Sequence, residues 1–193
     1  MSLPPLILDI RGRIGAHVPV ADRSPEFRPA AVLIPLFLRE GALHLLLTRR
    51  TDEVEHHKGQ MSFPGGMADD GDNGPEETAL REAEEEVGLG RCAVEVLGRL
   101  SDIVIPSGFR VTPVVGFLPE LPVLRPHAAE VAEIVTVPLA FFADERNVRT
   151  AERERNGRRM TVYRYQYGPY DIWGATAAMI RTFLAVAGPP SDR

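Results

Sequence analysis

The chain has 193 residues, of which 44% are hydrophobic and 25% are charged, and its formal net charge is -5 at pH 7. This length and composition predict one compact domain with a real hydrophobic core. The acidic balance weighs against broad nucleic-acid binding, so we expect no nucleic-acid partner, and an anionic substrate would need local Arg, Lys or divalent metal. The single cysteine, Cys92, excludes an internal disulfide framework and a cysteine-based zinc site.

The two ends of the chain differ from its middle. No apolar run reaches bilayer length, and residues 1–5 lack the features of a signal peptide, so we expect a cytoplasmic protein with no membrane partner. Pro and polar residues indicate loose structure at residues 1–29 and 188–193. We expect residues 1–29 to be an extension that packs on or flanks the domain, residues 30–187 to form the domain, and residues 188–193 to be a tail.

The first predicted elements are two strands. Apolar runs at residues 30–38 and 42–48, joined by Arg39-Glu40-Gly41, predict a β-hairpin whose central residues are buried on both faces. Residues 49–61 are polar and basic without a clear period, which indicates a loop. This loop leads into a tight, Gly-rich turn, Phe63-Pro64-Gly65-Gly66.

A helix is predicted to begin near Pro75, which suits a first helical position, with Asn73 or Gly74 as its cap. Glu76 and Glu77 favour the positive end of the helix dipole. The apolar stripe that faces the core is predicted to consist of Ala79, Leu80, Ala83 and Val87. Gly88 is predicted to be the left-handed C-cap.

The rest of the chain predicts a mixture of α and β elements. Branched and aromatic residues favour strands, and helical spacing of apolar residues favours a final helix. The strands are expected at residues 93–100, 111–117, 133–137 and 160–167, and the helix at residues 175–187.

A cluster of carboxylates lies within the first predicted helix. Glu82, Glu85 and Glu86 are spaced at i, i+3 and i+4, which places them on one helical face. Like charges at these spacings each weaken a helix by roughly a few tenths of a kcal/mol, so the cluster needs open water or a cation. A solvated face is the ordinary interpretation of an isolated acidic run. The Gly-rich turn upstream favours the cation.

Residues 66–89 resemble the Nudix box, whose pattern is Gly-x5-Glu-x7-Arg-Glu-U-x-Glu-Glu-x-Gly-U, with U a bulky aliphatic residue. The residues in register are Arg81, Glu82, Glu85, Glu86, Gly88 and Leu89. Asp72 stands where Glu is usual, its distance to Arg81 is one residue longer than the pattern, and Ala83 is smaller than the usual aliphatic residue. We expect the insertion to alter the loop and to leave the carboxylate face unchanged.

The sequence around the box is similar to the coenzyme A pyrophosphatases of the Nudix superfamily. The segments that carry this resemblance are residues 46–51, 57–60, 63–66, 107–116 and 172–177. Two positions differ, since Thr51 stands where Ser or Ala is usual and Glu55 stands where Arg is usual. Arg50, His57 and Lys58 are neighbouring cations that would compensate for the missing Arg.

The resemblance implies an α/β/α sandwich with a mixed central β-sheet and a pyrophosphatase that depends on Mg²⁺ or Mn²⁺. It implies that Glu82, Glu85 and Glu86 are the metal ligands, and we expect Arg81 to orient one of them by a charge-assisted hydrogen bond. Water would attack phosphorus in coenzyme A and give 3′,5′-ADP and 4′-phosphopantetheine.

The resemblance leaves the group that accepts the proton from water open, between Glu82 in the box and Glu130 or Glu133 further along. We expect the small-molecule substrate to be bound by Arg49, Arg50, His57, Lys58, Gly65 and Gly66. The alternatives are hydrolysis of ADP-ribose, NADH or a nucleoside triphosphate, and a domain that binds a nucleotide without catalysis. The intact carboxylates argue against the second alternative.

Overall fold

The structure, a computed structural model, describes residues 3–22, 24–51, 59–155 and 158–188. Its helices are α1 (Pro5–Ala16), α2 (Pro75–Val87), α3 (Leu139–Ala143) and α4 (Gly174–Ala187). Its strands are β1 (Arg28–Arg39), β2 (Ala42–Arg50), β3 (Met61–Ser62), β4 (Gly65–Met67), β5 (Glu95–Arg99), β6 (Ile103–Val104), β7 (Phe109–Leu118), β8 (Val131–Pro138), β9 (Val148–Arg155), β10 (Arg158–Tyr167) and β11 (Tyr170–Trp173). No helix in these segments is both long and apolar enough to cross a membrane.

A mixed, 8-stranded sheet forms the centre of the fold. Strand β1 runs parallel to β7 and antiparallel to β2 and β4. Strand β2 also pairs with β3 and β8, and β7 pairs with β5 and β6. The antiparallel pairing of β1 with β2 confirms the predicted hairpin. A separate antiparallel sheet contains β9, β10 and β11.

Helices cover both faces of the central sheet. Ala31 and Leu33 on β1 pack in the cluster that contains the buried residues of α2. Ile34 and Leu36 on the same strand pack in the cluster that contains α1 and α4. Because side chains alternate along a strand, this division buries both faces of β1. The predicted α/β/α sandwich with a mixed central sheet is confirmed.

Helix α2 has the predicted bounds. Pro75 is its first residue and Gly74 is its N-cap, while Gly88 caps its C-terminus in the left-handed conformation with φ 69°. The Gly88 amide donates to the Glu84 carbonyl, and the Leu89 amide donates to the Ala83 carbonyl. These bonds satisfy carbonyls that the helix end would otherwise leave without donors.

Two expectations about irregular structure are wrong. Residues 5–16 form α1, which buries Ile7, Ile10 and Ile14, although the sequence indicated loose structure there. Gly12 and Gly15 lower helix propensity, and burial of the isoleucine stripe outweighs that cost. Arg49 and Arg50 complete β2 instead of opening a loop. The domain limits at residues 30 and 187 stay a prediction.

Candidate active site

Arg81 joins the carboxylates of the site. Its Nε and Nη2 donate to the two carboxylate oxygens of Asp72 at 3.2 and 3.0 Å, and Nη2 also donates to the Met67 carbonyl at 2.8 Å. Nη1 donates to Glu82 at 2.8 Å and to Glu85 at 3.3 Å. The bond with Asp72 raises the pKa of Arg81 and holds the pKa of Asp72 well below its usual range. Arg81 therefore stays charged and fixes the loop before α2 against the helix.

Glu82 projects from α2 onto the backbone of β4. Its carboxylate occupies the space that a Cβ atom on Gly66 would need, so only glycine permits this approach. Burial raises the pKa of Glu82, while its bond with Arg81 lowers it and the charges of Glu85 and Glu130 raise it further. The Gly-rich turn thus admits a carboxylate that is shielded from water.

Glu86 is the most buried carboxylate on this face, with a side chain that is 5% exposed. It accepts a hydrogen bond from the Gly65 amide at 3.3 Å, and Nη1 of Arg50 lies 3.9 Å from its other oxygen. Burial raises the pKa of Glu86 to about 7 against the lowering effect of Arg50. The local positive charge therefore does not compensate for the desolvation of this carboxylate.

The donor set fits a hard divalent cation. Glu82 and Glu86 supply shielded oxygens with raised pKa values, and Glu85, whose side chain is 60% exposed, supplies a carboxylate open to water. A cation beside these groups would favour their ionised forms, and Mg²⁺ prefers such oxygens together with water. In the described parts of the chain, no three His, Cys, Asp or Glu side chains are grouped so that they could hold a metal ion, so the fit rests on the chemistry of these carboxylates. Arg81 holds one oxygen of Glu82 and one of Glu85 instead.

The segment that carries Glu130 is anchored to α2 and β2 through its backbone. The His127 amide donates to the Glu86 carbonyl at 2.8 Å, and the Thr51 amide donates to the Glu130 carbonyl at 2.9 Å. The Thr51 hydroxyl also donates to the Ala129 carbonyl at 3.0 Å. This attachment places Glu130 near enough for its charge to raise the pKa of both Glu82 and Glu86.

Glu133 lies in different surroundings. Nε of Arg49 is 3.4 Å from one oxygen of Glu133, and the Tyr170 hydroxyl donates to the other oxygen at 2.6 Å. Arg49 and Glu133 are paired residues on neighbouring antiparallel strands. The structure therefore places Arg49 in an ion pair, whereas Arg50 faces Glu86.

A cleft of about 720 Å³ adjoins the Gly-rich turn. Gly65, Gly66 and Arg50 contribute to its wall, and most of its other lining is apolar. Nε of Arg50 is buried and has no hydrogen-bond partner within the described segments. The expected substrate residues His57 and Lys58 lie outside the described residues.

Three residues of this region were missing from the predicted site. Asp72 is the bidentate partner of Arg81, Thr51 anchors the segment before Glu130, and Tyr170 binds Glu133. The spacing of Asp72 from Gly66 was a signal for the first. The other two contacts join segments that are distant in the sequence, so no local pattern indicates them.

Sequence comparisons identify the family of the chain. A family model described as the NUDIX domain matches residues 27–156. The uncharacterized Nudix hydrolase NudL of Yersinia enterocolitica is 45% identical over 158 residues, which cover 82% of this chain and 80% of that protein. NudL of Photorhabdus laumondii is 43% identical over 157 residues, which cover 81% and 83% of the two chains.

Solved structures show the same fold. A Nudix hydrolase from Alicyclobacillus acidocaldarius has a TM-score of 0.55 at 19% identity, over 85% of this chain and 94% of that one. An Ap4A hydrolase from C. elegans has a TM-score of 0.51 at 18% identity, over 57% and 80% of the two chains. The fold is that of the solved Nudix hydrolases. The chain belongs to the Nudix hydrolase family.

Proposed function

We propose that this chain hydrolyses the pyrophosphate linkage of coenzyme A or its derivatives and releases 3′,5′-ADP and 4′-phosphopantetheine. The observation that carries the proposal is the carboxylate face of α2 beside a cleft walled by Gly65, Gly66 and Arg50. The extended similarity to coenzyme A pyrophosphatases, which lies outside the box, supports this substrate over other Nudix substrates.

Nudix hydrolases generally use divalent metal ions, and we assign Mg²⁺ or Mn²⁺ to Glu82, Glu85 and Glu86. When bound, the metal neutralises pyrophosphate oxygens and lowers the pKa of the attacking water. Arg81 positions Glu82 and Glu85, because its Nη1 donates to both. The close fit of Glu82 against Gly66 keeps bulk water away from that carboxylate.

Two carboxylates are candidates to accept the proton of the attacking water, Glu82 and Glu130. Glu82 is shielded, and burial raises its pKa, which makes it a stronger proton acceptor than an ordinary glutamate. Glu130 is nearly half exposed and electrostatically coupled to Glu82 and Glu86. Glu133 is the weaker candidate, because Arg49 and Tyr170 engage both of its oxygens.

Substrate phosphates are assigned to the cations around the Gly-rich turn. Nε of Arg50 is buried and finds no hydrogen-bond partner among the residues that the structure describes, and a phosphate oxygen at the cleft would satisfy it. Arg49, His57 and Lys58 are the further candidates from the sequence. The backbone of Gly65 and Gly66 in the wall of the cleft permits close approach of the phosphates.

The test is a comparison of substrates with identification of the products by mass. Coenzyme A, ADP-ribose and NADH are incubated separately with the purified chain and Mg²⁺ or Mn²⁺, with a chelator in parallel. We expect selective, metal-dependent release of 3′,5′-ADP from coenzyme A. Cleavage of ADP-ribose or NADH alone would overturn the coenzyme A assignment and retain the hydrolase. Nucleotide binding without cleavage of any substrate would favour a binding-only domain.

A further inference from the structure

Arg28 places a second cation on the wall of the cleft, apart from Arg50. Its guanidinium carbon lies 4.3 Å from the centroid of the Phe109 ring, and both residues line the cleft. Stacking on an aromatic face restrains an arginine without neutralising it. Within residues 3–22, 24–51, 59–155 and 158–188, no carboxylate lies within ion-pair distance of Arg28. The guanidinium is therefore held in place with its charge available.

The strand register fixes where Arg28 lies relative to the carboxylates. Ala31 of β1 pairs with Gly66, against which Glu82 packs. Arg28 is three positions before Ala31, which corresponds to about 10 Å along an extended strand. The backbone of Arg28 is therefore displaced along the strand from the position that faces Gly66 by a distance that lies within the length of a nucleotide.

The cleft between the two cations is apolar. Ala30 and Val32 alternate with Arg28 on the same face of β1, and Met67 and Val111 line the same cleft. A ligand that matches this surface has a pyrophosphate at the Gly65 end, a body that tolerates apolar contact, and another anion at the Arg28 end. The cleft therefore matches a ligand that carries a second anionic group in addition to its pyrophosphate.

We propose that Arg28 binds a second phosphate group of the substrate, a phosphate monoester on the nucleoside that is separate from the pyrophosphate. This inference rests on the proposed pyrophosphatase site, which orients the substrate along the cleft. Arg28 is then a specificity-determining residue, because it distinguishes a nucleotide that carries the additional phosphate from one that lacks it. The planar guanidinium offers two parallel donors to that phosphate, and its stacking on Phe109 lowers the entropy lost on binding.

The test measures binding of two products that differ only by this phosphate. Affinities of 3′,5′-ADP and of 5′-AMP are measured by calorimetry with the full chain and with Arg28→Gln, in the presence of Mg²⁺. We expect the unmodified chain to prefer 3′,5′-ADP. Arg28→Gln should weaken binding of 3′,5′-ADP by about tenfold and leave 5′-AMP unchanged, since one charge-assisted contact is lost.

Arg39→Gln is the matched control. Arg39 lies at the other end of β1, outside the cleft lining, and its guanidinium carbon is 5.6 Å from the centroid of the Phe37 ring. Arg39→Gln therefore removes the same charge from the same strand, together with a similar aromatic contact. We expect both affinities to match those of the unmodified chain. Arg28→Lys keeps the charge and should retain part of the preference.

Equal weakening of 3′,5′-ADP and 5′-AMP by Arg28→Gln would mean that Arg28 contacts the base or the 5′-phosphate, and it would overturn the inference. The two proposals fail in different ways. If coenzyme A is not cleaved and the preference for 3′,5′-ADP still depends on Arg28, the substrate assignment falls and the inference stands. If coenzyme A is cleaved and Arg28→Gln leaves kcat/KM for coenzyme A and for 3′-dephospho-coenzyme A unchanged, the inference alone falls.

Discussion

Arg81 and Arg50 both face carboxylates of α2, and their surroundings are opposite. Arg81 donates to Asp72, Glu82 and Glu85 as well as to a backbone carbonyl. Arg50 has one distant carboxylate, Glu86 at 3.9 Å, and its buried Nε has no partner in the described part of the chain. A guanidinium whose three nitrogens all donate hydrogen bonds fixes the positions of its partners. An unsatisfied buried donor costs free energy until a ligand binds to it. On this comparison we assign the positioning of carboxylates to Arg81 and the proposed binding of substrate to Arg50.

The largest effect on kcat is expected when a carboxylate that Arg81 binds loses its charge. Glu82→Gln keeps the shape of the side chain and removes a proposed metal ligand, so kcat should fall about a thousandfold or more. Steady-state assays across a range of Mg²⁺ concentrations measure this loss. Glu84→Gln is the control, because Glu84 lies on the same helix, is half exposed and pairs with Arg91 away from the site. An unchanged kcat for Glu82→Gln would exclude Glu82 from metal binding and from proton transfer.

The next effect is on stability and concerns Asp72, the main partner of Arg81. Asp72→Asn should lower the free energy of unfolding by about 3 kcal/mol at pH 7, because it leaves the shielded Arg81 without its bidentate carboxylate. Urea unfolding measures the difference. Asp69→Asn is the control, since Asp69 is 72% exposed and lies 3.8 Å from the same arginine.

The same pair gives a pH dependence. Arg81 holds the pKa of folded Asp72 below the ordinary value of 3.8. The stabilisation is therefore present above pH 3.8 and is lost as the pH falls below it. The difference between the two chains should shrink in acid, and a constant difference would contradict the ion pair as its source.

Glu86 should show the opposite pH dependence. Its pKa in the folded chain is raised from 4.5 to about 7, so its favourable contribution is present below pH 4.5 and is lost as the pH rises through 7. Ionising it costs up to about 3 kcal/mol. With a chelator present, Glu86→Gln should therefore raise the free energy of unfolding by about 1 to 3 kcal/mol at alkaline pH and have little effect near pH 4.

Adding Mg²⁺ tests whether this cost is connected to the metal. Mg²⁺ should stabilise the unmodified chain more than Glu86→Gln, because the ion binds the folded state through that carboxylate. Equal stabilisation of both chains would remove Glu86 from the ligand set and leave its raised pKa as a consequence of burial alone.

The features that the sequence predicts well are local. The strand pair β1–β2 and the whole of α2 follow from runs of apolar residues, a Pro at the first helical position and a Gly past the last. The order of carboxylates along α2 follows from the same helix, because spacing alone decides which side chains share a face. A short motif therefore predicts the part of the site that α2 contributes, which is its row of carboxylates.

The other side depends on contacts that no local pattern contains. Helix α1 has Gly12 and Gly15 within it and owes its order to the burial of three isoleucines. The attachment of Glu130 comes from Thr51, and the engagement of Glu133 comes from Tyr170, in a different sheet. Sequence reasoning left Glu130 and Glu133 equivalent, because their difference exists only after the strands are assembled.

The smallest effect on kcat is expected at Glu133, whose carboxylate, like the Arg81 guanidinium, is already bound by other side chains. Glu133→Gln should leave kcat unchanged, because Arg49 and Tyr170 bind the two oxygens of Glu133 and orient its carboxylate in an ion pair. Glu130→Gln, changed in the same way, should lower kcat about a hundredfold or more if Glu130 is the base. A pH profile of kcat separates the two, since removal of the base deletes its limb of the profile. Loss of activity in Glu133→Gln alone would show that Glu133 is the proton acceptor although two side chains bind it. The number of hydrogen-bond partners would then not distinguish positioning residues from reacting residues in this site.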